Sequence, residues 1–375
     1  VYGPVQVKVY GGSVFNTDGT GANGSGAVYG ANNINGAPQR SVTVDIYGTN
    51  SAPAEGEYAL FSVYGGGNAA DYTYGNGYPK VTVHNCDNSI EYVYGGGNAA
   101  AVAATDVTIY GGNKIGNVFG GGNGQVRAAN VNGNTNVKIY GGTIGDVYGG
   151  SNTNGNIGGT ISVNVNAQAE GGSAACPVNI DNVYGGGNQA ASNAGSITIG
   201  CAEHIGTVYG GANQANITGN ITLNINSGHI DNVFGGNNTS GAISGNITVN
   251  VNDNGSACGM EVGNVYGGGN QAAYGHNTDY PQVNILNGTI TGSVFGGGLG
   301  STAIVTGNPK VNINAAAGKA ISVGGSVFGG GSLAPIAGNT DVKIIGNSTV
   351  QGNVYGGGNQ AEVSGTTKVQ VGECN

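Results

Sequence analysis

Val183-Tyr184-Gly185-Gly186-Gly187-Asn188 is the phrase that decides the fold. Variants of it begin at Val28, Val63, Val93, Val118, Val147, Val208, Val233, Val265, Val294, Val327 and Val354. With Val183 in its place, successive starts lie 35, 30, 25, 29, 36, 25, 25, 32, 29, 33 and 27 residues apart. The interval never falls below 25. A fixed minimum with elastic excess marks a solenoid, one copy per coil, with insertions thrown outward at the corners.

Each coil reads in three parts. The first is an apolar-polar-apolar run such as Ile221-Thr222-Leu223-Asn224-Ile225 or Ile247-Thr248-Val249-Asn250-Val251. Period-2 alternation of β-branched residues means a half-buried strand. The second is a turn followed by Ile/Val-x-x-Val-aromatic, as in Ile115 to Phe119. The third is the glycine run, Asn and small residues such as Gln189-Ala190-Ala191. Three short faces predict a roughly triangular coil, and no helical periodicity competes with it. The expected fold is therefore all-β: a parallel β-solenoid, a right-handed β-helix of twelve to thirteen coils of about 25 residues plus insertions. At about 4.8 Å per coil this is a rod about 60 Å long. Residues 1–62 are irregular, with inserted stretches at 15–25 and 48–57, and 63–375 are regular and continuous with them in one domain. A single coil buries too little to stand alone, so neighbours must share the core.

Stacking turns each position into a column. The aromatic column is Tyr29, Tyr64, Tyr94, Phe119, Tyr148, Tyr184, Tyr209, Phe234, Tyr266, Phe295, Phe328 and Tyr355. Phe at four positions makes the hydroxyl dispensable, which favours stacked rings over catalytic tyrosines. The amide column is Asn33, Asn68, Asn98, Asn123, Asn152, Asn188, Asn213, Asn238, Asn270 and Asn359, with Leu299 and Ser332 as exceptions. Asn accepts the left-handed conformation of a tight corner, and stacked amides bond along the axis. The preceding glycines turn the chain where no Cβ fits.

Composition narrows the function. Charged residues make up 8% of the 375, the formal net charge is −9, and Arg40 and Arg127 are the two arginines. Nucleic acid and anionic membrane surfaces need a basic stripe that this chain lacks. No apolar stretch of about 18 residues exists to span a membrane. The chain lacks an initiator Met and starts and ends inside the pattern, as a processed or partial piece would.

Sites of chemistry are sparse. Cys86, Cys176, Cys201, Cys258 and Cys374 fall at one corner of the repeat. Cys176 and Cys201 stand on adjacent coils, the spacing that allows a disulfide; the alternative is small buried thiols. No CxxC or Cys/His spacing fits zinc. His204 and His229 stack 25 apart near Cys201 and Asp231, but a metal needs a fuller ligand set. The glycine runs form neither a calcium β-roll nor a P-loop. β-Helix lyases and glycosidases gather two or three carboxylates, or a Lys/Arg pair, on one groove; here the acids Glu91, Asp146, Asp181 and Asp231 fall at the turn before the repeat Val, Asp181 and Asp231 stand two coils and roughly 10 Å apart, and no partner residue stands out. A Thr/Ser column (Thr82, Thr108, Thr198, Thr222) is interrupted by Lys8 and Lys138 and so is no ice-binding face. Beside it runs an outward Asn column of Asn164, Asn224, Asn250, Asn284 and Asn312, whose neutral amides could meet glycan hydroxyls. No catalytic residue, cofactor or metal is expected.

The phrase Val-Tyr-Gly-Gly-Gly-Asn-Gln-Ala, at Val183 to Ala190, Val265 to Ala272 and Val354 to Ala361, resembles the repeat of large secreted or cell-surface β-solenoid proteins of anaerobic bacteria. The resemblance covers 63–375 well and 1–62 poorly. It implies an extracellular or cell-surface protein of adhesin or fibre type, and it carries over no site residue. The expected function is a structural or adhesive rod, part of a filament or longer surface protein, with end-to-end self-association. The alternative is a glycan-binding or glycan-cleaving β-helix.

Overall fold

The computed structural model describes residues 2–14, 26–51, 57–73, 77–169, 176–193, 195–276 and 278–373. The inserted stretch 15–25, residues 52–56 of the stretch 48–57, and Cys374 lie outside the described residues. The described residues contain no helix, and every strand pairing among them with a given register is parallel. The fold is a parallel β-solenoid, divided by compactness into two units, Val1–Asn193 and Ala194–Asn375.

In the first unit, one face stacks the strands Val5–Val9, Val42–Ile46, Pro79–Val83, Thr105–Ile109, Thr135–Ile139 and Ile161–Asn166. Their registers align Val44, Val81, Val107, Val137 and Val163, all buried. A second face stacks Ala27–Tyr29, Leu60–Tyr64, Ser89–Tyr94, Lys114–Phe119, Gly142–Tyr148 and Val178–Tyr184. It aligns the repeat valines 28, 63, 93, 118, 147 and 183. The third face is a row of single bridges, Tyr72 to Val102 to Val131 to Ile157, each residue buried. Val5–Val9, Ala27–Tyr29 and Val42–Ile46, from the irregular first 62 residues, join these faces in register.

The second unit repeats the plan. Its first face runs through Gly195–Cys201, Ile221–Ile225, Ile247–Asn252, the start of Gln282–Ile290, Lys310–Asn314, Thr340–Ile345 and Thr367–Val371. Its second aligns Val208 with Val233 and Val265, and these with Val294, Val327 and Val354. Its third aligns Tyr274, Val305, Ile336 and Val363. Alternation explains the burial: in Ile221–Ile225 the Ile and Leu side chains are buried and Thr222 and Asn224 half-buried.

The glycine corner differs from the sequence expectation. No described non-glycine residue has a positive φ, so the Asn column is not left-handed. Asn is there for its amide. The glycines are required by close approach. A Cβ on Gly120 would lie 2.3 Å from the Gly149 carbonyl oxygen, closer than real atoms come. That contact is tight because the corner is bonded to both neighbours. Gly121 N–H donates to the Gly150 carbonyl at 3.0 Å, and Asn123 N–H donates the other way, to Gly97, at 3.0 Å. Backbone groups buried at a turn must be paired, and here the adjacent coils pair them.

Candidate functional site

The aromatic column is a continuous stack in each unit. In the first, ring centroids from Tyr29 through Tyr64, Tyr94, Phe119, Tyr148 and Tyr184 are 4.6–5.0 Å apart and nearly parallel. In the second, Tyr209, Phe234, Tyr266, Phe295, Phe328 and Tyr355 repeat this at 4.6–5.2 Å. Hydroxyls early in the column are used: those of Tyr29, Tyr64 and Tyr94 each donate at 3.3 Å to the Asn amide oxygen one coil on. Burial pushes the Tyr64, Tyr94 and Tyr148 hydroxyls far up, so they stay protonated.

From Asn33 to Asn188 the amide column is a continuous chain of side-chain hydrogen bonds. Asn68 donates to Asn33, Asn98 to Asn68, Asn123 to Asn98, Asn152 to Asn123 and Asn188 to Asn152, at 2.8–3.0 Å. In the second unit Asn238 donates to Asn213 and Asn270 to Asn238, both at 2.9 Å. Leu299 and Ser332 follow, and Asn359 stands beyond them in the same column. The outward Asn column forms a second ladder: Asn250 to Asn224, Asn284 to Asn250 and Asn312 to Asn284, each at 3.0 Å. Each amide donates one way and accepts the other, which suits a repeating column.

The cysteines pair differently from the expectation of Cys176 with Cys201. Cys86 is bonded to Cys176 and Cys201 to Cys258, with Cα separations of 5.5 and 5.8 Å. Counting coils misleads here because the intervening coils pass the corner with small residues. Cβ atoms on Gly111 and Gly141 would lie 2.8 Å from the Cys176 Sγ and 3.1 Å from its Cβ, so Cys176 occupies space those glycines leave open. Across the second bridge, Gly228 N–H and the Ser227 hydroxyl both donate to the Gly259 carbonyl, holding the Cys258 loop over the corner. With Cys201 oxidised, the ligand set imagined around His204 and His229 dissolves. The His204 imidazole instead faces the Asp231 carboxylate at 3.2 Å, and the His229 ring faces the Glu203 carbonyl at 3.1 Å. No three His, Cys, Asp or Glu among the described residues are placed to hold a metal ion.

Three of the four acids fall on the second face of the first unit. The registered rows Ile90–Ile115–Ile144–Ile180 and Tyr92–Asn117–Asp146–Asn182 bracket a row of Glu91, Gly116, Gly145 and Asp181. Two glycines between two carboxylates open a groove of about 390 Å³, whose lining includes Tyr58, Lys114, Asn117, Asp146 and Asp181. The Tyr58 hydroxyl overhangs Gly116, 3.1 Å from where a Cβ would be. Asp146 accepts from the Asn182 amide at 2.9 Å and the Tyr148 hydroxyl at 3.1 Å. Burial pushes its carboxyl above the usual aspartate range and the Asp181 charge adds to this, against those two hydrogen bonds. Burial also raises Glu91, opposed by the Tyr92 hydroxyl and the Lys114 charge. Lys114 itself donates to the Glu57 carbonyl at 2.7 Å and lies 4.6 Å over the Tyr58 ring.

Sequence reasoning missed this groove, and it missed a second aromatic stripe. Tyr10, Tyr47, His84, Tyr110 and Tyr140 follow successive first-face strands, with neighbouring centroids 4.2–6.1 Å apart. His84 also faces the Asp45 carboxylate at 3.0 Å. The signal was present: each of these residues comes directly after an alternating strand, as in Val107-Thr108-Ile109-Tyr110. No helix of the described residues is long and apolar enough to cross a membrane. In comparison with known proteins, the chain matches no family model, and no curated protein or solved structure shows significant similarity to it.

Proposed function

We propose that the chain is an extracellular structural or adhesive β-solenoid, part of a filament or longer surface protein. The observation that carries this is where the side chains go. Two amide ladders and two ring columns join coil to coil, so the repeat's most regular polar and aromatic residues serve the stack itself. Two disulfides that staple corners fit an oxidising compartment. The filament reading includes end-to-end association of copies, in which the coil-to-coil pairing seen within one chain passes on to the next.

Electron microscopy and concentration-dependent light scattering of the purified chain test this. End-to-end oligomers whose population grows with concentration are expected. Uniform monomers at every concentration would sink the self-association. A second reading, a glycan-binding or glycan-cleaving solenoid, is favoured by the acid-flanked groove over Gly116 and Gly145. The net acidity of that groove argues against the uronic-acid polymers that a basic lyase site would take.

A further inference from the structure

We infer that the groove on the second face of the first unit binds a saccharide bearing a free amine, held by Asp146 and Asp181 over the glycine floor and against Tyr58. The inference rests on the glycan-binding reading above and names its ligand class. Three features carry it.

The first is shape. Glu91 and Asp181 are three coil steps apart, roughly 14 Å, and the two coils between them carry no side chain in that row. The result is a shallow trough about 390 Å³ in volume, within the usual range for small-ligand sites. The second is the wall. Tyr58 brings an aromatic ring and a hydroxyl over the Gly116 end, and Asn117 adds an amide beside the floor. Lys114 covers one face of the Tyr58 ring at 4.6 Å, so Tyr58 offers its edge and hydroxyl to the groove. An aromatic edge, an amide and a flat backbone floor suit a pyranose, which offers an apolar face and a rim of hydroxyls.

The third is charge. Lys114, the cation in the groove lining, offsets the burial of Glu91. Asp146 is bonded to two neutral groups, and no described ion pair includes Asp146 or Asp181. The Asp181 charge disfavours ionisation of Asp146, so a cation placed between the two carboxylates would favour the ionised Asp146. A divalent metal finds no third acidic ligand there. An ammonium on a sugar ring needs only the two, and its ring fills the rest of the trough.

The test uses the full chain, with disulfides intact, titrated calorimetrically with the fully deacetylated glucosamine tetramer and, separately, with its N-acetylated counterpart. A mildly acidic buffer keeps the sugar amines protonated. Binding of the amine form at least about tenfold tighter than the acetylated form is expected, with a roughly tenfold loss in both Asp146→Asn/Asp181→Asn and Tyr58→Ala. Asp181 is exposed and Tyr58 half-buried, and circular dichroism checks that the variants fold. If both tetramers bind equally and Tyr58→Ala weakens them, the glycan reading stands and the amine inference is overturned. If neither binds, or if both variants bind as the parent does, the groove is no saccharide site and both readings fall.

Discussion

Replacing Asn123 by alanine removes three hydrogen bonds at one point of the amide ladder. Its Nδ2 donates to Asn98 at 2.8 Å, and its Oδ1 accepts from Asn152 at 2.9 Å and from the Tyr94 hydroxyl at 3.3 Å. The side chain is 7% exposed, so water cannot fully replace it. At about 1 kcal/mol net per bond the loss is about 3 kcal/mol, less whatever the partly exposed Asn98 and Asn152 recover from solvent. Asn33 is the control: it is exposed, and its Oδ1 accepts from Asn68 alone within the ladder, so Asn33→Ala should cost about 1 kcal/mol or less. Urea unfolding followed by far-UV circular dichroism reads both. The expected result is a midpoint shift for Asn123→Ala at least twice that of Asn33→Ala, at unchanged slope. Equal shifts, or an Asn123→Ala cost below about 0.5 kcal/mol, would refute the view that the ladder bonds are cooperative supports of the stack.

Three further outcomes are expected. Breaking either disulfide should cost about 2–4 kcal/mol; Cys86→Ser/Cys176→Ser should cost no more than either single change, while Cys176→Ser/Cys201→Ser should cost the sum, and a non-reducing peptide map should show Cys86 linked to Cys176. Gly120→Ala should destabilise by about 3 kcal/mol or more, because its methyl group would meet the Gly149 carbonyl at 2.3 Å and the neighbouring coil would have to give way, measured as a drop in melting temperature. Asp146→Asn should stabilise the fold at neutral pH. The folded-state carboxyl is raised above its unfolded value, so the folded state holds its proton more tightly, and stability falls as pH rises from the unfolded pKa through the folded one. The gain from Asn should therefore be largest above that window and vanish in acid, in melting curves taken across pH.

The fold was legible because burial leaves a mark in sequence. Val93, Val118 and Val147 must each fill the same apolar position, and β-branched residues at a minimum spacing of 25 reveal it. The ladders were legible for the same reason, since a column can bond to itself only if Asn98, Asn123 and Asn152 are the same residue. The corner conformation was not. Asn is compatible both with a left-handed turn and with an amide ladder, and residue type alone does not separate them. The disulfides were misread because coil counting treats the corner as uniform, whereas Gly111 and Gly141 leave room for Cys176 to reach Cys86. The groove was invisible for a related reason. Gly116 and Gly145 are two of 79 glycines, and only the register shows them side by side between Glu91 and Asp181.

Registered stacking is the claim on which the rest depends, and distances along one column test it most directly. Ser196, Thr222, Thr248, Gln282, Lys310, Asp341 and Lys368 are successive register partners on the first face of the second unit. Spin labels at Ser196 and Lys368, in a chain carrying Cys374→Ser, should report a narrow distribution corresponding to six coil steps, ~29 Å between Cα atoms. Labels at Thr248 and Lys368 should report four steps, ~19 Å. A broad distribution, or two distances that do not differ by two coil steps, would contradict the account.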